Sequence, residues 1–332
     1  MPRGPKTLGI DEDERFIARV AWAYYVEGLT QGAVAEKLGV TRLRVNKALG
    51  EARRTGLVRI TLSSAFAPCM ELEAGLKAAF NLTDVHVVPA PERADDVSAM
   101  VGTALGHRLS EVLADRAIRL FGMSWGNTLN IATRHVEPLG RPDLEIVSVM
   151  GGTTRGSDVS SFEITTRFAD LFNASHSYFP APLYAGSRES RDIIVGQDVF
   201  TEVLEKIRSV DALAMSVGDL STRALLIRDG LPSDISLESL KAAGGVGDLL
   251  GTVLDASGAP IDHPINQRLI GIDYRDLANV PNVILASGGL HKVAIIKAVL
   301  GLGVVDTFVT DEATAAAIIA ATEQGGATRD VA

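Results

Sequence analysis

Cysteine is nearly absent from this chain: of 332 residues, only Cys69 carries a thiol. An internal disulfide and a four-thiolate zinc site are both excluded, and such usage fits a reducing compartment such as the cytoplasm. Long hydrophobic runs are missing too. The most apolar stretches, VPNVILASGG and VAIIKAVLGLGVVDTFV, are broken by glycine or charge. Both stop well short of the roughly 18 apolar residues a membrane span needs, so none is expected. The first residues, MPRGPKTLGIDEDERF, turn acidic where a signal peptide would require an apolar segment. No GxGxxG follows the first strand pattern, and neither a P-loop nor an HExxH occurs. The six histidines (His86, His107, His135, His176, His263 and His291) fall in no obvious pair or metal spacing. Neither a cofactor nor a metal is expected.

The length and a 46% hydrophobic content suit a folded protein of two domains. The formal charge of -9 is unevenly spread. Residues 1–62 carry a net +4 and the remaining 270 a net -13. A small basic head on an acidic body confines any nucleic-acid contact to the head.

Within that head, residues 13–26 have the spacing of an amphipathic helix, with Phe16, Ile17, Val20, Ala21 and Tyr24 on one side. Thr30 can cap a second helix over Gln31–Leu38, Gly39 and Val40 make a tight turn, and Thr41 can cap a third helix reaching about Arg54. On the third helix Leu43, Val45, Ala48 and Leu49 form the apolar set. Its remaining face carries Arg42, Arg44, Asn46, Lys47, Arg53 and Arg54 against one acid, Glu51. Long donors near a helix start and cations within reach of phosphates are what a major-groove reader needs. Residues 1–62 therefore read as a helix-turn-helix domain for double-stranded DNA, with Thr30, Gln31, Thr41, Arg42, Arg44, Asn46, Lys47, Arg53 and Arg54 as its contact residues. Residues 56–62 are expected to form a short strand.

A helix over Cys69–Phe80, within a linker and oligomerisation segment spanning 63–80, is expected to join head and body. From 81 to 332 apolar strands alternate with helices: 84–89, 117–122, 144–152, 210–219 and 282–289 are strand-like, and 98–113 is helical. That alternation predicts an α/β body with a mostly parallel sheet. Strand ends run into FGMSWG, VMGG, SVGD, ASGG and VTDE, the kind of loops that line a ligand crevice beyond a parallel sheet.

Both halves together resemble the SorC-type family of sugar-binding transcriptional regulators. The resemblance rests on residues 19–60 in the head, GMSWGNTL (122–129), RFADLFNASHSYFPAPLYAGS (167–187) and, most of all, residues 244–315. It implies a Rossmann-like body similar to ribose-5-phosphate and glucosamine-6-phosphate isomerases, used as a sensor. It implies operator DNA and a sugar, polyol or sugar-phosphate effector as partners, and a homotetramer. Within the family the effector's polar head is held by loops matching Ser124, Gly151, Gly152, Asp248 and Lys292. The polyol- and autoinducer-type branches are the nearest in the head, which points to erythritol or another short alditol, or its phosphate.

The residues themselves leave several roles open. Lys292, just after SGG, can join free N–H groups in holding an anion or can be a solvated lysine. Asp248 and Asp311 can accept sugar hydroxyls, and Asp311 can equally cap the helix that follows it. Trp125 can cover a sugar face or pack at a sheet edge, Phe168 can line a pocket or fill the core, and Asn266 is similarly ambiguous. An isomerase with an accessory head is the alternative. Catalysis leaves the head idle, so a regulator without enzymatic activity is the favoured expectation.

Overall fold

The computed structural model describes residues 12–58, 64, 66–153 and 160–327. The chain divides into two compact units, Met1–Ser64 and Ala65–Ala332.

In the small unit, α1 (Glu12–Ala21) runs into a π-helical turn over Trp22–Val26, so the helix expected over 13–26 widens at its last turn. Then come α2 (Gln31–Leu38) and α3 (Arg42–Arg54). The Thr30 hydroxyl accepts the Ala33 N–H at 3.2 Å, and that of Thr41 accepts the Arg44 N–H at 3.3 Å. Each satisfies a first-turn donor that the helix leaves without a partner. Gly39 ends α2 in the left-handed region, at φ 67°. Val20, Ala23, Val34, Ala35, Val45, Ala48 and Leu49 form the core of this three-helix unit. Leu43, of the apolar set on α3, is not one of the buried members: the residue is 67% exposed. The strand expected over 56–62 is not seen at Gly56–Val58, which turn and bend, and 59–62 lie outside the described residues.

The large unit begins with α4 (Ala67–Phe80), which packs on the first strand and the last helix and buries Cys69 and Leu76 in the main core. The helix expected as part of a linker is thus an integral layer of this unit. There follow β1 (Asp84–Val88), α5 (Val97–Ala114), β2 (Leu120–Met123), α6 (Asn127–Ala132), β3 (Glu145–Ser148), α7 (Ser161–Phe172) and β4 (Ser175–Ser177). Next are α8 (Arg188–Val195), α9 (Asp198–Arg208), β5 (Ala212–Met215), β6 (Val217–Asp219), α10 (Leu237–Ala242), β7 (Gly247–Leu249) and β8 (Thr252–Leu254). The unit closes with α11 (Pro264–Arg268), β9 (Val283–Ala286), α12 (Val293–Gly301), β10 (Thr307–Asp311) and α13 (Glu312–Ala327).

Seven strands pair in parallel in the order β1-β10-β9-β5-β2-β3-β4. Strands buried on both faces need apolar residues at every position, which is why they read as continuous runs. The two faces have separate cores, one around Leu213, Leu285 and Phe308, the other around Leu105, Phe121, Phe168 and Ile284. The strand expected over 210–219 breaks at Ser216. Its second part, β6, joins β7 and β8 in a small antiparallel sheet. From β2 the chain proceeds to β3 and β4 on one side; from β5 it proceeds to β9 and β10 on the other. Such a divergence opens a crevice beyond the carboxyl ends of the two strands. Among the described residues, no helix is long and apolar enough to cross a membrane.

Candidate functional site

A cleft of about 370 Å³ lies at that divergence. Trp125, Gly126, Asn127 and Thr128 reach it from the end of β2, Ser216 from the end of β5, Asp219 from β6, Asp248 from β7, and His291 and Lys292 from the loop after β9. Arg223 and Arg228 stand at its exposed rim, and Arg228 is paired with Asp229 at 2.6 Å. Glycine makes room for this wall. Gly218 pairs with Asp248 across β6 and β7, and any Cβ there would overlap the Asp248 carboxylate.

The electrostatics of the inner wall follow from burial. Asp248 is 3% exposed, and desolvation pushes its carboxyl up to about 6, aided by the negative charge of Asp219. The Gly251 N–H, which donates to Asp248 Oδ2 at 3.1 Å, and the Lys292 ammonium pull the other way. Lys292 is itself lowered by burial, against the attraction of Asp219 and Asp248. Burial also lowers His291, with Lys292 and Arg223 adding to the effect and Asp219 opposing it. The Lys292 charge thus acts on both carboxylates from beyond ion-pair distance. Tyr184 backs Asp248, its phenol raised by burial and by that charge while its hydroxyl donates to the Gly251 carbonyl. Among the described residues, no group of three or more His, Cys, Asp or Glu is placed to hold a metal.

In the small unit, the outer side of α3 carries the second candidate site. The side chains of Asn46, Lys47 and Arg53 are exposed and make no hydrogen bond or ion pair with another described residue. Arg42 donates to Gln31 Oε1 at 3.4 Å, and the Arg44 guanidinium lies 4.6 Å from the centre of the Phe16 ring. Stacking occupies the guanidinium's face and leaves its edge donors free. Arg54 is different: it forms a two-pronged pair with Glu51 at 2.9 and 2.5 Å.

The family "Putative sugar-binding domain" matches residues 64–320. The LsrR transcriptional regulator of Escherichia coli O139:H28 is 31% identical over 94% of this chain and 96% of its own length. This chain belongs to the SorC-type family of sugar-binding transcriptional regulators. The erythritol catabolism regulatory protein EryD of Brucella abortus (strain 2308) is 28% identical over 93% of this chain and 98% of its own. Among solved structures, the full-length sorbitol operon regulator SorC of Klebsiella pneumoniae shares the fold with a TM-score of 0.70, at 21% identity, over 93% of this chain and all of that one.

Of the effector residues expected for this SorC-type regulator, the cleft brings together Trp125, Asp248 and Lys292. Ser124 sits directly beneath, fully buried, its hydroxyl without a partner among the described residues. The rest do not line the cleft. Phe168 is fully buried in the core under the sheet with Phe121 and Phe172, so it is a packing residue. The Asn266 amide is spent on the backbone of Val253 and Ile261, where it fixes β8 to α11. Gly151 and Gly152 already donate to Ile270 and Ala181, and a Cβ on either would strike Pro182 or Phe162; close packing explains them. Of the two roles left open for Asp311 the structure shows the cap: the carboxylate accepts the Thr314 N–H of α13 at 3.1 Å, and its other oxygen accepts the Gly289 N–H of the cleft loop at 3.2 Å. In the head, the Thr30 and Thr41 hydroxyls are committed to caps and Arg54 to Glu51.

Sequence reading missed Asp219. SVGD was visible as a strand end, but only the pairing of β6 with β7 sets that carboxylate beside Lys292.

Proposed function

We propose that this regulator represses a carbohydrate or polyol catabolic operon from the cytoplasm, and that a small sugar-type effector bound in the cleft releases it from its operator. The observation that carries this reading is the inner wall of the cleft, where Asp219, Asp248 and Lys292 converge beside Trp125. Two carboxylates around one ammonium suit the hydroxyls of a polyol, which donate to carboxylates and accept from the lysine. A phosphate at that depth would face net negative charge. On an effector that carries one, it fits better at the rim, where Arg223 makes no ion pair with a described residue. The relative named for erythritol catabolism agrees with a short alditol or its phosphate.

The signal leaves the cleft through backbone. Gly289 donates to Asp311 and to Thr314 Oγ1 at 2.7 Å, at the first turn of α13, and α13 packs along α4, the first helix after the head. An effector that binds two arrangements of this loop with different affinity shifts their populations, which is what allostery requires. A homotetramer presents several heads to one operator. One observation favours an isomerase instead: a buried carboxyl titrating near 6 suits a general base. The relatives are named as regulators, and catalysis gives the basic helix no task.

The test is a thermal-shift series on the full chain with alditols, aldoses, ketoses and their phosphates. A true effector raises the melting temperature by mass action, about 2.7 kcal/mol of stabilisation at a hundred times Kd. In Lys292→Ala the same shift is expected to need at least about tenfold more ligand. A panel without a hit, or a hit indifferent to Lys292, would defeat the proposed site.

A further inference from the structure

The outward line of α3 holds an apolar side chain that the protein does not use. At 100° per residue, the buried positions Val45, Ala48, Leu49 and Ala52 define one face, and Leu43, Lys47, Gly50 and Arg54 lie opposite. Leu43 is 67% exposed in the first turn, directly after the Thr41 cap and between two arginines. A leucine there gains nothing from the core. Gly50, two turns on along the same line, is equally unexplained from within. A Cβ added to it meets nothing within 4 Å, yet glycine inside a helix costs about 1 kcal/mol relative to alanine. Its use is one the free protein does not reveal: an outer face smooth enough for another surface to come close.

We propose that Leu43 reads the 5-methyl group of a thymine in the major groove, with Gly50 allowing α3 to lie close against the same groove. The inference rests on the reading of α3 as the DNA-contacting helix and adds a base to it. Charge complementarity selects the partner: exposed Arg42 and Arg44 flank the leucine and Lys47 lies one turn on, which suits a polyanion and not an apolar protein face. In that groove the thymine methyl is the apolar feature, and no other standard base pair offers it. Asn46, one turn on from Leu43, has its amide free for a neighbouring base edge.

The experiment isolates a duplex from a random pool with the full-length protein, then replaces each thymine in it by deoxyuridine, which removes only the methyl. Wild type is expected to lose about three- to fivefold in affinity at one position per half-site, the scale of one buried methyl group. Leu43→Ala, which touches no core residue, is expected to bind the thymine and uracil duplexes equally and at the weaker level. A selected site with no methyl-sensitive position, or one whose sensitivity survives in Leu43→Ala, would overturn the role of Leu43 and leave α3 as the reader. Failure of the pool to yield any preferred sequence would overturn the DNA reading itself and this inference with it.

Discussion

At the scale of single residues, Asp248 sets how the cleft answers to pH. Its carboxyl titrates near 6 in the folded chain against an ordinary value of 3.8. Between those values the folded form holds a proton that the unfolded form releases. The resulting stability is fully present below about pH 4 and is lost as pH rises through 6, a loss on the order of 2–3 kcal/mol. Asp248→Asn is therefore expected to raise the melting temperature more at pH 7.5 than at pH 4.5, while weakening effector binding. Equal gains at the two pH values would mean that burial does not hold this proton. The same scale marks how far sequence alone reaches. Asp248, Lys292 and Trp125 stand in long, ordered motifs next to strand ends, and they meet in the cleft. Phe168 and Asn266 lie in equally good motifs and do not, because the demand for a buried aromatic or a bonded amide leaves one signature whether the neighbour is a ligand or the chain's own backbone. Which member of the apolar set on α3 stays outside, Leu43, is not legible for a related reason: helical spacing does not separate a buried leucine from an exposed one.

Among elements, the short ones carry the chemistry. β6, β7 and β8 have three residues each, too few for alternation to register: β6 reads only as the end of the strand over 210–219, and β7 and β8 leave no strand pattern. Yet this small sheet brings Asp219 and Asp248 to one wall. Its register depends on glycine: Gly247 pairs with Asp219, and a Cβ on it would strike the Gly218 carbonyl, while Gly218 pairs with Asp248, whose carboxylate a Cβ would strike. Gly218→Ala is expected to turn the Asp248 carboxylate away, because a flexible side chain yields before a paired strand does. Effector affinity should fall at least about tenfold, the order of one lost charge-assisted bond, with DNA binding unchanged. Calorimetric titration checks the first and a mobility-shift assay the second; unaltered effector affinity would show that Asp248 takes no part. The apolar parallel strands, by contrast, were evident as runs, since a doubly covered sheet needs such runs in alternation with helices; the polar edge strand β4, Ser175–Ser177, left no such signal.

For the whole molecule, both units and their kinds were evident from charge and periodicity, because a basic three-helix head and an acidic α/β body leave different patterns in one chain. The bonds on which the proposed route from effector to helix α4 rests were not: Gly289 donates to Asp311 and to Thr314, 22 and 25 positions away. Thr314→Val keeps the volume and removes the hydroxyl that accepts the Gly289 N–H and donates to Asp311. This variant is expected to bind operator and effector within a few-fold of wild type and yet to need at least about tenfold more effector for release from DNA. Normal release would place the coupling elsewhere.

Cys69 gives that coupling a clock. The only thiol in the chain lies on the inner face of α4, covered by the core, and burial pushes its pKa up. It is close to inert towards an alkylating reagent as long as α4 stays seated. The rate at which the thiol is nevertheless consumed counts how often the helix lifts from the sheet. A regulator that signals by loosening or tightening α4 therefore reports each state, without any added label, as a faster or slower loss of one sulfhydryl.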